Sequence, residues 1–158
     1  MNVLGSCRMA RIVTIIATRP EIIKMAPVIE SLQRRAAQLI VVHSGQHYDF
    51  EMSQIFFEEL NIPKPNINLG IRSDKYPFTT QIALMKKRLQ EIFKKEKPDL
   101  CLVFGDCNSA TGGALASSAS KVPLGHIEAG LRSFDRTMSE ESNRLITDLL
   151  SNYLFTPS

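Results

Sequence analysis

The chain has no tryptophan, only three cysteines in 158 residues, and 19 basic against 16 acidic side chains. Each scarcity excludes something. A formal net charge of +3, with no basic stripe interleaved with aromatics, argues against a nucleic-acid partner. The cysteines, Cys7, Cys101 and Cys107, are odd in number, and two of them lie in or just after a predicted buried strand. That is no disulfide framework, and it points to a reducing, cytoplasmic compartment. No C-x-x-C or Cys/His spacing offers a structural zinc site, so no metal is expected. No apolar run approaches the roughly 20 residues that span a bilayer, and the opening "MNVLGSCRMA" lacks the apolar centre of a signal peptide. No membrane partner is expected. The first strand is not followed by G-x-G-x-x-G, so no nicotinamide or flavin dinucleotide, and no other cofactor, is expected.

What is present is an alternation of two periodicities. "RIVTIIA" (11–17), "LIVVHSG" (39–45), the run 99–104 and "VPLGHI" (122–127) are short apolar stretches rich in β-branched residues, read as buried strands. Between them, Ile22, Met25, Ile29 and Leu32, and then Phe78, Ile82, Met85, Leu89 and Phe93, recur at helical spacing. Further helices are expected near 50–60, over 107–120 with small residues throughout, and over 139–151, with a last short strand in "YLFTPS". Strand and helix in turn, with continuously apolar strands, predict an α/β fold: a Rossmann-like parallel sheet with helices on both faces. Residues 1–10 read as an N-terminal extension and 11–158 as one domain.

Ligands of such sheets bind beyond the carboxyl ends of the strands. After the first strand, "TRPEIIK" sets Arg19 and Lys24 beside a helix start, where free N–H groups and cations suit a phosphate. Thr18 and Glu21 have the capping-box spacing, so a plain solvated helix turn serves equally well. After the second strand, "SGQH" offers Gln46 and His47 as polar contacts; Gly45 breaks the geometry a His43/His47 metal pair would need. After the third, Asp106 is either the cap of the small-residue helix or a carboxylate in the crevice. After the fourth, Glu128 lies between apolar Ile127 and Ala129, a setting for acid–base work. Glu140 and Glu141 fall in the first turn of a helix that Ser139 can cap, and Glu140 with Arg144 has the i,i+4 spacing of a helix ion pair. That pairing explains Glu140, Glu141 and Arg144, but not Glu128 and Arg132 in a turn beside glycine. Asp106, Glu128 and Glu140 together form a candidate acid–base constellation.

"TRPEIIKMAPVI", "SGQH", "GDCNS", "HIEAGLRS" and "EESNRLITDLLSNYLFTPS", in this order and spacing, closely resemble the N-terminal half of the non-hydrolysing UDP-N-acetylglucosamine 2-epimerases over residues 11–158. The resemblance implies a glycosyltransferase-B-like architecture of two Rossmann-like domains around a cleft. It implies interconversion of UDP-N-acetylglucosamine and UDP-N-acetylmannosamine by elimination and re-addition of UDP, for cell-surface polysaccharides and without nicotinamide. Asp106, Glu128 and Glu140 match the family's catalytic acidic positions. Arg19 and Lys24 match its phosphate-side basic residues, and Gln46 and His47 match a segment that, in bacterial members, helps form a regulatory UDP-N-acetylglucosamine site. Arg132 and Arg144 are expected to organise the acids.

The sequence departs from that pattern at Ala17, where the family has Gly, at Phe104 and Cys107, in place of His and Thr, and at Ser139, in place of Pro. Family members are more than twice as long, so the C-terminal UDP-binding domain is expected to be absent from this chain. Little activity is then expected from the chain alone, with a homodimer or pairing with a separate C-terminal half as the expected assembly. Two other functions fit the same residues: a non-catalytic sugar-nucleotide-binding or interaction module, and a hydrolysing relative that releases free N-acetylmannosamine.

Overall fold

The computed structural model describes residues 9–35, 38–45, 57–60 and 62–157. The first eight residues, most of the helix expected near 50–60, and both Gln46 and His47 lie outside them. The elements are β1 (Arg11–Ile16), α1 (Arg19–Arg34), β2 (Gln38–His43), β3 (Ile67–Asn68), α2 (Phe78–Glu96), β4 (Leu100–Phe104), α3 (Asn108–Ser120), β5 (Leu124–Ile127), α4 (Ser139–Leu150) and β6 (Tyr153–Phe155). Six strands form one sheet in the order β3-β2-β1-β4-β5-β6. Every pairing is parallel. The expected Rossmann-like α/β fold is the fold observed.

Alternation along the strands divides the core in two. Val13 and Ile15 of β1, with Cys101 and Val103 of β4, face Met85, Leu89 and Phe93 of α2 and Ala110 and Ala114 of α3. Ile16, Val41 and Phe104 point the other way, onto Ile22, Met25 and Ile29 of α1. The helix of small residues owes its composition to this packing. A Cβ at Gly112 would stand 2.7 Å from the Met85 Cβ, and one at Gly113 would stand 2.6 Å from Ile15 Cδ1 and 2.7 Å from Val103 Cγ1. The two glycines let α3 approach α2 and the sheet at once, at the cost of helix propensity.

The chain runs outward from β1 to β2 and β3, then returns to place β4 on the other side of β1. This reversal opens the crevice between β1 and β4, the place where such sheets take ligands. Some local expectations differ in detail. The two-residue strand β3 pairs with Val42 and His43, and it is too short to show alternation in the sequence. Phe78 is 36% exposed, so the inner face of α2 begins one turn later, at Gln81 and Met85. Met138, not Ser139, precedes the first turn of α4, and neither Thr18 nor Ser139 caps its helix through its side chain.

Candidate functional site

Three strand ends build the site. β1 leads through Ala17 and Thr18 into α1, which carries Arg19, Glu21 and Lys24. β4 ends in Gly105, at φ +64°, followed by Asp106 and Cys107. β5 ends in Glu128, a non-glycine residue at φ +67°. Left-handed backbone is unfavourable for a side chain as large as glutamate, and such strain concentrates at functional sites.

Glu128 reaches back toward α1. Its Oε1 accepts a hydrogen bond from Lys24 Nζ at 2.8 Å. Lys24 also lies 5.2 Å from the centroid of the Phe104 ring, so the phenylalanine that replaces a histidine of the family pattern supports a cation–π contact. A Cβ at Gly105 would sit 3.5 Å from Glu128 Oε2, which places this carboxylate beside the turn that presents Asp106.

Asp106 is not a helix cap: Cys107 holds the cap position, and no side chain caps α3. The Asp106 carboxylate instead accepts a short hydrogen bond from Arg144 of α4. Arg144 also donates to Glu141 at 3.3 Å. Burial by itself would depress Arg144, but the two carboxylates outweigh it and hold the guanidinium firmly charged. The i,i+4 pair expected of Glu140 and Arg144 is replaced by this i,i+3 pair with Glu141. The Glu141 carboxylate is buried and accepts from Ser133 N at 2.9 Å, Ser133 Oγ at 3.0 Å and Phe134 N at 3.3 Å. The Ser133 backbone N–H leads the interactions that hold Glu141 below the usual carboxylate range. Of the two neighbouring acids, Glu141 thus ties down the 133–134 turn. Glu140 stays exposed, accepting from Ser139 Oγ at 3.1 Å.

Two further arrangements had no visible sequence signal. A buried amide chain backs Asp106: Asn143 Nδ2 donates to the Asp106 carbonyl at 2.8 Å and to Asn108 Oδ1 at 3.2 Å, and Thr111 Oγ1 donates to Asn143 Oδ1 at 2.7 Å. Arg132 touches none of the three candidate acids. Its guanidinium pairs with Asp148 at 2.6 Å, and Asp148 lies 2.6 Å from His126 Nδ1. Burial alone would push the Asp148 carboxyl up; Arg132 and His126 outweigh it and hold it below the ordinary range.

Beneath the crevice lies Glu21, 4% exposed. Its Oε2 accepts from Ala17 N at 2.7 Å, one residue before the Thr18 cap position. Its Oε1 has no hydrogen bond of ordinary geometry, although the Cys107 thiol and the Thr18 hydroxyl are close enough to interact with the carboxyl. Burial pushes the Glu21 carboxyl up. Burial and then the Glu21 charge push the Cys107 thiol up as well, so Cys107 is a poor nucleophile.

A stability prediction follows from Glu21. The unfolded carboxyl loses its proton near about pH 4.3. The folded one holds it to higher pH, so Glu21 costs stability as pH rises from that point through its raised folded value. Glu21→Gln keeps the shape of the neutral acid and cannot ionise. The stability difference, variant minus wild type by urea unfolding, is expected to grow in the variant's favour as pH rises above about 4.3 and to level off past the raised folded value. Parallel pH profiles would show that Glu21 is charged in the folded protein.

Among the described residues no cluster of three or more His, Cys, Asp or Glu side chains is placed to hold a metal ion. No described helix is long and apolar enough to cross a membrane. The polar groups that converge are two carboxylates, Asp106 and Glu128, each paired with a cation, at neighbouring strand ends. Arg19 is exposed at the start of α1.

The model of the UDP-N-acetylglucosamine 2-epimerase family matches residues 30–158. A UDP-N-acetylglucosamine 2-epimerase homolog of Methanococcus maripaludis is 55% identical over 148 residues, covering 94% of this chain and 41% of the relative. A UDP-2,3-diacetamido-2,3-dideoxy-D-glucuronate 2-epimerase of Pseudomonas aeruginosa is 46% identical over 149 residues, covering 94% of this chain and 42% of the relative. The crystal structure of the Methanocaldococcus jannaschii UDP-GlcNAc 2-epimerase in complex with UDP-GlcNAc and UDP matches with a TM-score of 0.88 and 44% identity, over 94% of this chain and 40% of that one. The chain therefore spans about 40% of the length of these relatives.

Proposed function

The chain belongs to the UDP-N-acetylglucosamine 2-epimerase family, and from that premise we propose that it supplies the acid–base half of an active site that inverts C2 of a UDP-2-acetamido sugar. The observation that carries this reading is the meeting of Asp106 and Glu128 at the β4 and β5 ends, with Arg144 and Lys24 against them. UDP-N-acetylglucosamine and UDP-N-acetylmannosamine are the proposed substrate pair. A carboxylate takes the C2 proton, its electron pair forms a C1–C2 double bond, and the C1–oxygen bond breaks to release UDP. In the return step the UDP oxygen rejoins C1, and a carboxyl delivers a proton to the opposite face of C2. The C2 proton is weakly acidic, so the base must be held in place, and the departing diphosphate requires cations.

Asp106 and Glu128 are the proposed acid–base groups, and Glu140, exposed in the first turn of α4, is the proposed third carboxyl. Arg19 and Lys24 are proposed to face the diphosphate, and Gln46 and His47 to contact the nucleotide sugar. Arg144 acts through Asp106. Arg132 acts through Asp148 and the turn after Glu128. No cofactor enters these steps.

A second substrate has support of its own, because the Pseudomonas aeruginosa relative acts on a 2,3-diacetamido glucuronate and is 46% identical. The same C2 chemistry serves both sugars. The test replaces the matched segment of the Methanocaldococcus jannaschii enzyme with residues 11–157. Conversion of each UDP-sugar is then followed in D2O, where epimerisation places deuterium at C2. Product labelled at C2 from UDP-N-acetylglucosamine is the expected result, with little turnover by the 158-residue chain alone. A folded chimaera that turns over only the diacetamido uronate would reassign the substrate. Release of free N-acetylmannosamine would make the chain a hydrolysing relative, and binding without turnover of either sugar would make it a binding module.

A further inference from the structure

His126, in β5, is 1% exposed, and each of its ring nitrogens faces an acceptor. Asp148 Oδ1 lies 2.6 Å from Nδ1, and the Gly105 carbonyl oxygen lies 2.8 Å from Nε2. A neutral imidazole has one N–H and one lone pair. In either tautomer one nitrogen would set its lone pair against an oxygen lone pair at hydrogen-bond distance. Both contacts are attractive only when both nitrogens donate. The counter-charge is at hand in Asp148, which is 9% exposed and is itself held by Arg132 at 2.6 Å and by the Gly130 N–H at 3.2 Å.

The two partners of the ring belong to the two turns that carry the site's carboxylates. The Gly105 carbonyl is part of the peptide unit that leads into Asp106. Gly130, which donates to Asp148, follows Glu128 by two residues. Both turns leave their strands with positive φ: Gly105 takes it freely but without preferring it, and Glu128 takes it at a cost, so neither turn is fixed by its own backbone alone. An outside group must fix the peptide planes, and a rotation of the 105–106 plane would swing Asp106 away from Arg144.

We propose that His126 is a positioning residue, a buried imidazolium that donates to both Gly105 and Asp148 and so sets the placement of Asp106 relative to Glu128. It touches no substrate; it acts through the two turns. Its link to catalysis rests on the C2-epimerase reading given above, but its ring state does not.

The test is nitrogen NMR of the 158-residue chain labelled with 15N-histidine, without substrate. The chain has three histidines, so spectra of His47→Gln and His126→Gln assign the His126 ring. Two N–H type nitrogens on His126 at pH 7 are the expected result. One N–H nitrogen and one bare nitrogen would overturn the proposal, whether or not the protein epimerises. Asp148→Asn gives the second readout: the amide still accepts from Nδ1, but the counter-charge is gone. The Nε2 proton is expected to be lost, with the Gly105 and Asp106 amide signals moving while most others hold. Unmoved Gly105 and Asp106 signals beside a changed ring would reduce the pair to a structural filler. The wild-type spectrum decides the ring state even if that variant does not fold. A folded chimaera inactive on both UDP-sugars, with the doubly protonated ring in the 158-residue chain, would refute the epimerase reading and leave this inference standing.

Discussion

Asp106→Asn, made in the chimaera with the Methanocaldococcus jannaschii enzyme, is expected to lower kcat by about 10²- to 10⁴-fold, the usual weight of a positioned acid or base. The KM should change little, because asparagine matches the carboxylate in shape and still accepts from Arg144 through its amide oxygen. The fold should also survive. The backbone of this turn is held without the Asp106 side chain, by Asn143 at the Asp106 carbonyl and by His126 at the Gly105 carbonyl. The Asp106–Arg144 pair is partly open to solvent, with side-chain exposures of 30% and 20%. Its loss should therefore cost less than about 1 kcal/mol after screening. A helix-cap role would predict the reverse pattern, a stability loss with turnover intact, but Asp106 makes no cap bond in the structure. Near-normal kcat in the asparagine variant would make Asp106 simply a partner for Arg144.

The fold was legible because its signals are repetitive. Continuous apolar strands and the Met25/Ile29 and Met85/Leu89/Phe93 stripes follow directly from burial on both faces of a parallel sheet. Asp106 and Glu128 were legible for a related reason: each directly follows a strand, and the ends of neighbouring strands are near in space. The polar interior was not legible. Asn143 and Thr147 are i,i+4 on α4, and such a pair ordinarily marks a solvent face; here both are buried. Nothing local in the sequence says that Asn143 has found partners on another helix. Which of Glu140 and Glu141 is buried was not legible, for the same reason. Either can favour the helix start, but only the turn at Ser133 and Phe134, reached through tertiary packing, selects Glu141 for burial. Arg132 was expected to organise the acids, but its partner is Asp148, sixteen residues along the chain and about one helical turn past Arg144, a pairing that only the fold creates.

Glu128 offers a prediction in which two effects separate. Glu128→Gly and Glu128→Ala both remove the carboxylate that meets Lys24, and both are expected to lower kcat of the chimaera by about 10²-fold or more if it is an acid or base. Their stabilities should differ in an unusual direction. At an ordinary helix or strand position alanine is the more stable of the two, since glycine gives up more backbone freedom on folding. At φ +67° the order inverts. Alanine keeps the Cβ that crowds left-handed backbone, and glycine removes it, so Glu128→Gly should be the more stable variant by about 1 kcal/mol. Both variants lose the same ion pair with Lys24, so it cancels from the comparison. Chemical unfolding of the two proteins measures the difference directly. An alanine variant as stable as the glycine variant would mean that the turn relaxes out of the left-handed region once the carboxylate is gone. The strain would then be imposed by the Lys24 contact itself. Glycine ahead, with both variants inactive, would mean that the backbone holds Glu128 in a costly conformation for the sake of where it puts the carboxylate.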